Sequence, residues 1–449
     1  MKHLIVKFVT PVTLISLIMA CKPTIKTPAV DKGSVDATRF VAIGNSITAG
    51  YADGALYFDG QQNSFVNLLS QQFKLIGGGD FRQPLLSAAS VGVGTDSSAP
   101  FKLGYSTDCK GVTALAPVRV ASTGDVSAFN TSVYSAQGPF NNIGVPGVKA
   151  ITAVQSGFGN SSLGAGNFNP YFYRMAANPA TSSLLSDAVA MNPTFFSVFI
   201  GNNDVLAYAL EGGASDAITP PSGISGVGFD GSINAIVNAL TANGAKGVIA
   251  NIPDITSLPY FTTIPYNGLT LRQGQADSLN NALGGLFVFQ EGKNPFIIED
   301  TAVPFIGSRL ILPGELILLG VPLEKIKCNG MGTLTPIPAK YILSANEITT
   351  IQNIIAAYNT TIKAAADAKG LAFVDVNSFI KSAQKGIEYN GISINTKFVT
   401  GGAFSLDGLH LNPIGQALLA NEFIKSINSK FGSTIPQVDA TKYRGIIFP

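Results

Sequence analysis

The chain has 449 residues, of which 46% are hydrophobic and only 12% charged, with 29 basic residues against 27 acidic ones. This is the composition of a globular protein and excludes a disordered one. No basic block occurs anywhere, which excludes the electrostatic footprint of a nucleic-acid binder.

Taken in chain order, the first segment reads as an address. Lys2 and Lys7 make a basic start, and residues 4–19 are largely apolar, but the run is too short and too interrupted by Pro11 for a transmembrane helix. Residues 1–20 are therefore read as a secretory signal peptide. The run ends Ile18-Met19-Ala20-Cys21, which resembles a bacterial lipobox and implies that Cys21 is lipidated and becomes the new N-terminus; the alternative is a generic signal followed by an incidental cysteine. Residues 21–36 carry the polar, proline-bearing KPTIKTPAVDK at positions 22–32, the composition of an extended, flexible tether. Cleavage would remove Lys2 and Lys7, leaving 27 basic residues against 27 acidic ones and a neutral mature chain. The expected location is the bacterial cell envelope, lipid-anchored at the outer membrane on its periplasmic or surface face, with the chain a monomer.

From residue 37 to 449, short apolar runs alternate with helical patterns, which predicts an α/β fold with a mainly parallel sheet. The core strands are expected at residues 40–43, 195–200, 247–251 and 371–376. Helices are expected after Asn63-Ser64, after Asp230 to Ser232, after Ser344 with Glu347 as a capping box, and after the cap Asn412-Pro413. Residues 84–140, rich in Gly, Ser, Thr and Ala, and residues 259–340, rich in Pro and Gly, break the alternation. They read as large insertions on one domain, with a small subdomain from 259–340 as the alternative. Cys109 and Cys328 sit in polar loop sequence in these two stretches. In the oxidising compartment implied by the signal they either pair as a disulfide or stand as two free thiols.

The candidate chemistry centres on histidine. The chain has two, His3 and His410, and the first leaves with the signal. His410 follows Asp407 by three residues, a spacing that lets the carboxylate orient one ring nitrogen and leave the other to accept a proton; the alternative is an Asx turn beside a solvent-facing ring. Four blocks then stand in order: Gly44-Asn45-Ser46-Ile47-Thr48-Ala49-Gly50, Asn142-Ile143-Gly144-Val145-Pro146-Gly147, Gly201-Asn202-Asn203-Asp204, and Asp407 to His410. Together they resemble the SGNH hydrolase superfamily, also called the GDSL esterase/lipase family, over residues 40–430.

The resemblance implies a three-layer α/β/α sandwich of flavodoxin-like type and a serine esterase or lipase that needs no cofactor. It makes Ser46 the nucleophile, His410 its base and Asp407 the orienting acid. The oxyanion hole would comprise the backbone N–H groups of Ser46 and Gly147 and the side-chain amide of Asn203, with Gly144 a second candidate for the glycine; Asp204 would be structural. The family's aspartate directly before the serine is Asn45 here, which can make many of the same turn contacts. The partner would be an ester substrate, whether a lipid, a simple acyl ester or an acetylated glycan, with a carbohydrate O-acetyl esterase and a non-catalytic surface-binding lipoprotein as alternatives. One histidine and no thiol pair at ligand spacing speak against a zinc site, and Gly92-Val93-Gly94 lacks the strand and third glycine of a dinucleotide loop. Asp53 and Asp59 read as a polar turn or a cation site. The loop of Ile252-Pro253-Asp254 and Pro259 to Tyr266 lies beyond a strand end, where it would either wall an acyl pocket or pack internally, and Asn169 to Tyr173 falls in the same class.

Overall fold

The computed structural model describes residues 29–215 and 218–449. The signal peptide and Cys21 lie outside the described residues. The four expected apolar runs and one further segment form strands: β1 (Phe40–Gly44), β2 (Asn142–Gly144), β3 (Phe195–Phe199), β4 (Lys246–Ala250) and β5 (Ala372–Val374). They form one parallel sheet in the order β2-β1-β3-β4-β5, with Gly44 opposite both Gly144 and Phe199, Val198 opposite Ile249, and Ala250 opposite Val374. Every residue of β1 and β3 is buried, the condition of a parallel sheet covered on both faces and the reason the runs are continuous rather than alternating. The chain leaves β1 to one side for β2 and returns to its other side for β3. The carboxyl end of β1 is therefore where the winding reverses and where open α/β sheets form a crevice.

The helices used below are α1 (Ser46–Ala49), α2 (Phe65–Lys74), α3 (Asn203–Leu210), α4 (Phe229–Thr241), α5 (Ala345–Ala368), α6 (Val376–Lys385) and α7 (Pro413–Phe431). α2 packs on α7, and α7 on β4 and β5; α5 packs on α4 and also reaches β4 and β5. Aromatic rings fill the space between. Phe73 meets Phe40 and Phe195 edge-on, Phe65 meets Phe423, and Phe229 stacks on Tyr358 at 3.9 Å between centroids. Burial of each such side chain stabilises the fold by about 1.5–3 kcal/mol.

The expected helix starts at Ser344 and Asn412 hold. Ser344 and Glu347 form the reciprocal capping box of α5, and the Asn412 side chain accepts from the Gly415 N–H ahead of α7. Two starts differ. α4 begins at Phe229 behind Gly228, because the Asp230 carboxylate turns back to the Gly223 and Gly231 N–H groups. Ser64 precedes α2 without capping it; the Gln416 side chain of α7 accepts the Phe65 N–H instead. The strand β2 and the helix α6 are additional to the expected elements. The tether expected to run to residue 36 is shorter than that: Asp31 and Thr434 bond reciprocally, Ser34 donates to the Phe431 carbonyl, and Val35 is buried.

Both expected insertions carry local structure. The first contains an antiparallel hairpin, Phe101–Thr107 with Thr113–Arg119. The second contains several two-stranded pieces with small apolar clusters of their own, one around Phe296, Ile298, Ile317 and Ile337 and another around Leu271 and Phe289. Cys109 and Cys328 are joined as a disulfide, Cα–Cα 6.2 Å, which ties the first insertion to the second across 219 residues of sequence.

A cross-link closing so long a loop removes freedom chiefly from the unfolded chain. The double variant Cys109→Ala/Cys328→Ala is expected to lose about 2–5 kcal/mol of stability. Thermal unfolding would show this as a lowered Tm, and an unchanged Tm would refute it.

Candidate active site

The site is built at the carboxyl end of β1. Gly44 closes the strand where a side chain is impossible: a Cβ there would lie 2.0 Å from Thr48 Oγ1 and 2.7 Å from the Phe199 carbonyl. Asn45 then caps α1, its Oδ1 accepting the Ile47 N–H at 3.0 Å, while its Nδ2 donates to Asn202 Oδ1 at 3.1 Å. An ionised aspartate could accept the Ile47 N–H but could not donate to Asn202 Oδ1. Ser46 is therefore the first residue of a one-turn helix, 8% exposed.

Ser46 Oγ donates to His410 Nε2 at 2.8 Å, and His410 Nδ1 donates to Asp407 Oδ2 at 2.9 Å. The three residues expected to act together are thus in one hydrogen-bonded chain. The Asp407 carboxylate also accepts from the N–H groups of His410, Leu409 and Gly54 at 2.8, 2.9 and 2.8 Å and from Ser405 Oγ at 3.0 Å. Burial alone would raise its pKa, but the His410 charge and hydrogen bonds, with the backbone donors, outweigh burial and hold it well below the usual carboxylate range. Asp407 is consequently an anion that fixes the Nδ1–H tautomer. The Tyr51 ring packs against the imidazole with 4.7 Å between centroids.

Of the oxyanion candidates, Ser46 and Asn203 line one cavity with His410. Gly147 lies outside that lining and is linked to it through Asn203, whose Nδ2 donates to the neighbouring Val148 carbonyl at 2.9 Å. Gly147 has φ +79°, a left-handed conformation natural to glycine. Asn169 Nδ2 holds the preceding Pro146 carbonyl. Among the described residues no acceptor takes the backbone N–H of Ser46 or of Gly147, whereas the Gly144 N–H is already bonded to Asn142 Oδ1. Availability favours Gly147 over Gly144.

Asp204 is fully buried and accepts the Ala150 N–H at 2.7 Å, so Asn203 and Asp204 hold the segment after Gly147 at two points. Asp53 and Asp59 do not converge. Asp59 pairs with Arg444, while Asp53 accepts the Leu406 N–H at 2.9 Å and the Tyr57 hydroxyl at 2.7 Å and donates its own N–H to Ser405 Oγ. Asp53 thus clamps the Asp407 loop. Sequence reasoning placed it in a turn and missed its partner, as it missed Tyr51 and Ser405. Among the described residues no group of three or more His, Cys, Asp or Glu side chains is arranged to hold a metal ion.

The cavity is lined largely by apolar side chains. From the loop expected to wall it, Pro253 does so, joined by Ile255 and Leu258; the stretch from Pro259 to Tyr266 does not, because Phe261 enters the core and Tyr260 donates its N–H to the Gly408 carbonyl. The segment from Asn169 to Tyr173 also lies elsewhere, with Tyr171 and Phe172 buried in the main core. Phe379 and Ile380 of α6 take part in the lining instead.

Comparison with protein-family models, with curated proteins and with solved structures gives no match to this chain.

Burial raises Asp204 from 3.8 to about 6, the Ala150 N–H pulling the other way. Between those values the native state binds a proton that the unfolded state does not, so stability falls as pH rises through this window. Above pH 6 the whole cost of the buried charge is present, on the order of 3 kcal/mol. Asp204→Asn keeps an acceptor for Ala150 and removes that charge. Its Tm should exceed the wild-type value at pH 8, with the gain disappearing at pH 4; thermal melts showing the same difference at both pH values would refute this account.

Proposed function

We propose that the chain is a serine hydrolase of the SGNH type that cleaves carboxylic esters through an acyl-enzyme. The observation that carries this reading is the continuous chain Ser46 Oγ–His410 Nε2 and His410 Nδ1–Asp407 Oδ2, at 2.8 and 2.9 Å, in the wall of a cavity. The strand order 2-1-3-4-5, with helices packed about the sheet, supports the flavodoxin-like three-layer sandwich that belongs to this reading.

In the first half-reaction Ser46 Oγ attacks the ester carbonyl as His410 Nε2 takes its proton. Asp407 holds the ring and stabilises the imidazolium. The charge that develops on the carbonyl oxygen is met by the unbonded N–H groups of Ser46 and Gly147 and by the second amide hydrogen of Asn203, the first being used on Val148. His410 then returns the proton to the leaving alcohol. In the second half-reaction a water molecule, deprotonated by the same nitrogen, releases the acid and restores Ser46. Since these donors are already fixed before substrate arrives, little reorganisation accompanies the charge. The reading also includes lipid anchoring through Cys21 at the cell envelope, supported by the sequence Ile18-Met19-Ala20-Cys21.

A fluorophosphonate probe should label the wild type and leave Ser46→Ala unlabelled; absence of label on folded wild type sinks the reading. Steady-state ester hydrolysis should fall about 10⁴-fold in kcat for Asp407→Asn, which favours the wrong tautomer. Asn203→Ala should lose about 10²–10³-fold in kcat with a smaller change in KM, because the amide acts on the developing charge.

A further inference from the structure

The lining of the cavity is distributed in a way that measures its ligand. Ser46 follows β1, Asn203 follows β3, Ile255 and Leu258 follow β4, and Val376 and Phe379 follow β5. The cavity therefore steps across four consecutive strand ends of the sheet. With neighbouring strands about 4.8 Å apart, three steps span about 14 Å.

Polarity changes along this path. The groups near Ser46 are His410 and the amides of Asn45, Asn202 and Asn203, whereas the β4 and β5 end is lined by apolar side chains, and among the described residues no Asp, Glu, Lys or Arg side chain enters the lining. Carbon–carbon bonds of about 1.52 Å at near-tetrahedral angles advance roughly 1.25 Å per carbon along an extended chain. About 14 Å therefore accommodates roughly eleven carbons. An acetyl group would leave the apolar β4 and β5 end of the path without a ligand, and a sugar would bring hydroxyls to walls that offer them no partner.

We propose that this cavity binds a linear, uncharged acyl chain of about eight to twelve carbons, with its carbonyl at Ser46 and its methyl end against α6. The proposal rests on the hydrolase reading and assigns its substrate class. Phe379 is the end wall: it also borders an outer groove lined by Ile387, Tyr389 and Leu418 together with Asp375, Glu422 and Lys425, and the space is expected to lengthen when the ring is removed.

The test is the kcat/KM profile on p-nitrophenyl esters from two to sixteen carbons. The wild type should gain up to about fourfold for each added methylene, peak between about eight and twelve carbons, and decline beyond. A profile that is flat or highest for the acetate overturns the proposal while leaving the hydrolase reading intact. Phe379→Ala should move the peak to longer chains and Val376→Phe to shorter ones, with folding checked by circular dichroism; an unmoved peak in both folded variants overturns the placement of the chain end. Where a variant does not fold, the wild-type profile decides.

Absence of hydrolysis at every length, together with absence of fluorophosphonate labelling, would reject the hydrolase reading instead. Displacement of a fluorescent fatty acid by decanoate then decides the cavity: displacement by decanoate but not by acetate supports it, and no displacement overturns it.

Discussion

Everything proposed for Ser46 depends on one buried carboxylate. Asp407 collects hydrogen bonds from its own loop through Ser405, Leu409 and His410 and from the opposite side of the site through Gly54. A buried anion without such donors would shift toward the neutral acid or leave the interior. The donors keep it charged, and the charge keeps the imidazole oriented. Gly54 belongs to the loop that follows Ser46, so the same bonds that ionise Asp407 also join the serine's segment to the histidine's. Asp53 repeats the connection in the next residue, exchanging bonds with Leu406 and Ser405. The two loops are thus fastened as a pair, and the position of His410 relative to Ser46 is a consequence of that fastening.

On the other side of Ser46 the joints are mostly neutral. Asn45 bonds Asn202, Asn142 bonds the Thr48 carbonyl, and Asn203 bonds the Val148 carbonyl. Amides suit this role because each both donates and accepts, and none adds a full charge in a region where an oxyanion is proposed to form. Asp204 is the exception, and its raised pKa expresses what a carboxylate at that depth costs. The division has a chemical sense: fixed negative charge behind the imidazole favours its protonation, while uncharged donors would face the oxygen of the proposed substrate.

How much of this was legible in sequence follows from the range of each interaction. β1, β3, β4 and β5 announce themselves as apolar runs, and the caps at Ser344 and Asn412 are local chemistry between residues three apart. Ser46, Asp407 and His410 are legible because their residue types and local spacing restrict them so strongly. Asp53 was not: an aspartate in a YADG turn has the same local pattern whether it faces solvent or clamps Leu406, 353 positions away. β2 was read as a motif and not as a strand because three residues carry too little periodicity. α6 follows without a break on the apolar run expected as a strand over 371–376, which hides its own helical spacing of Val376, Phe379, Ile380 and Ala383 at i, i+3, i+4 and i+7. The cavity draws part of its wall from α6, and of the loop expected either to wall a pocket or to pack internally, Pro253 lines the cavity while Phe261 packs in the core.

The insertions look like ornaments in sequence and are braces in space. The first supplies the Phe101 N–H to the Asp53 carbonyl, and the Thr95 N–H to the hydroxyl of Tyr51, the ring that packs on His410. The second begins with Tyr260, whose N–H holds the Gly408 carbonyl between Asp407 and His410; a Cβ on Gly408 would come within 3.0 Å of that same nitrogen. The first insertion therefore holds the segment from Tyr51 to Asp53 and the second holds the Asp407 loop, and the disulfide between Cys109 and Cys328 joins them to each other. A loop held only by its own turn would need glycine-free, locally strong chemistry to keep a histidine in place. Here the loop contains Gly408 and relies on distant segments instead, so the stretches with the least recognisable pattern are among those that fix the geometry of the most recognisable one.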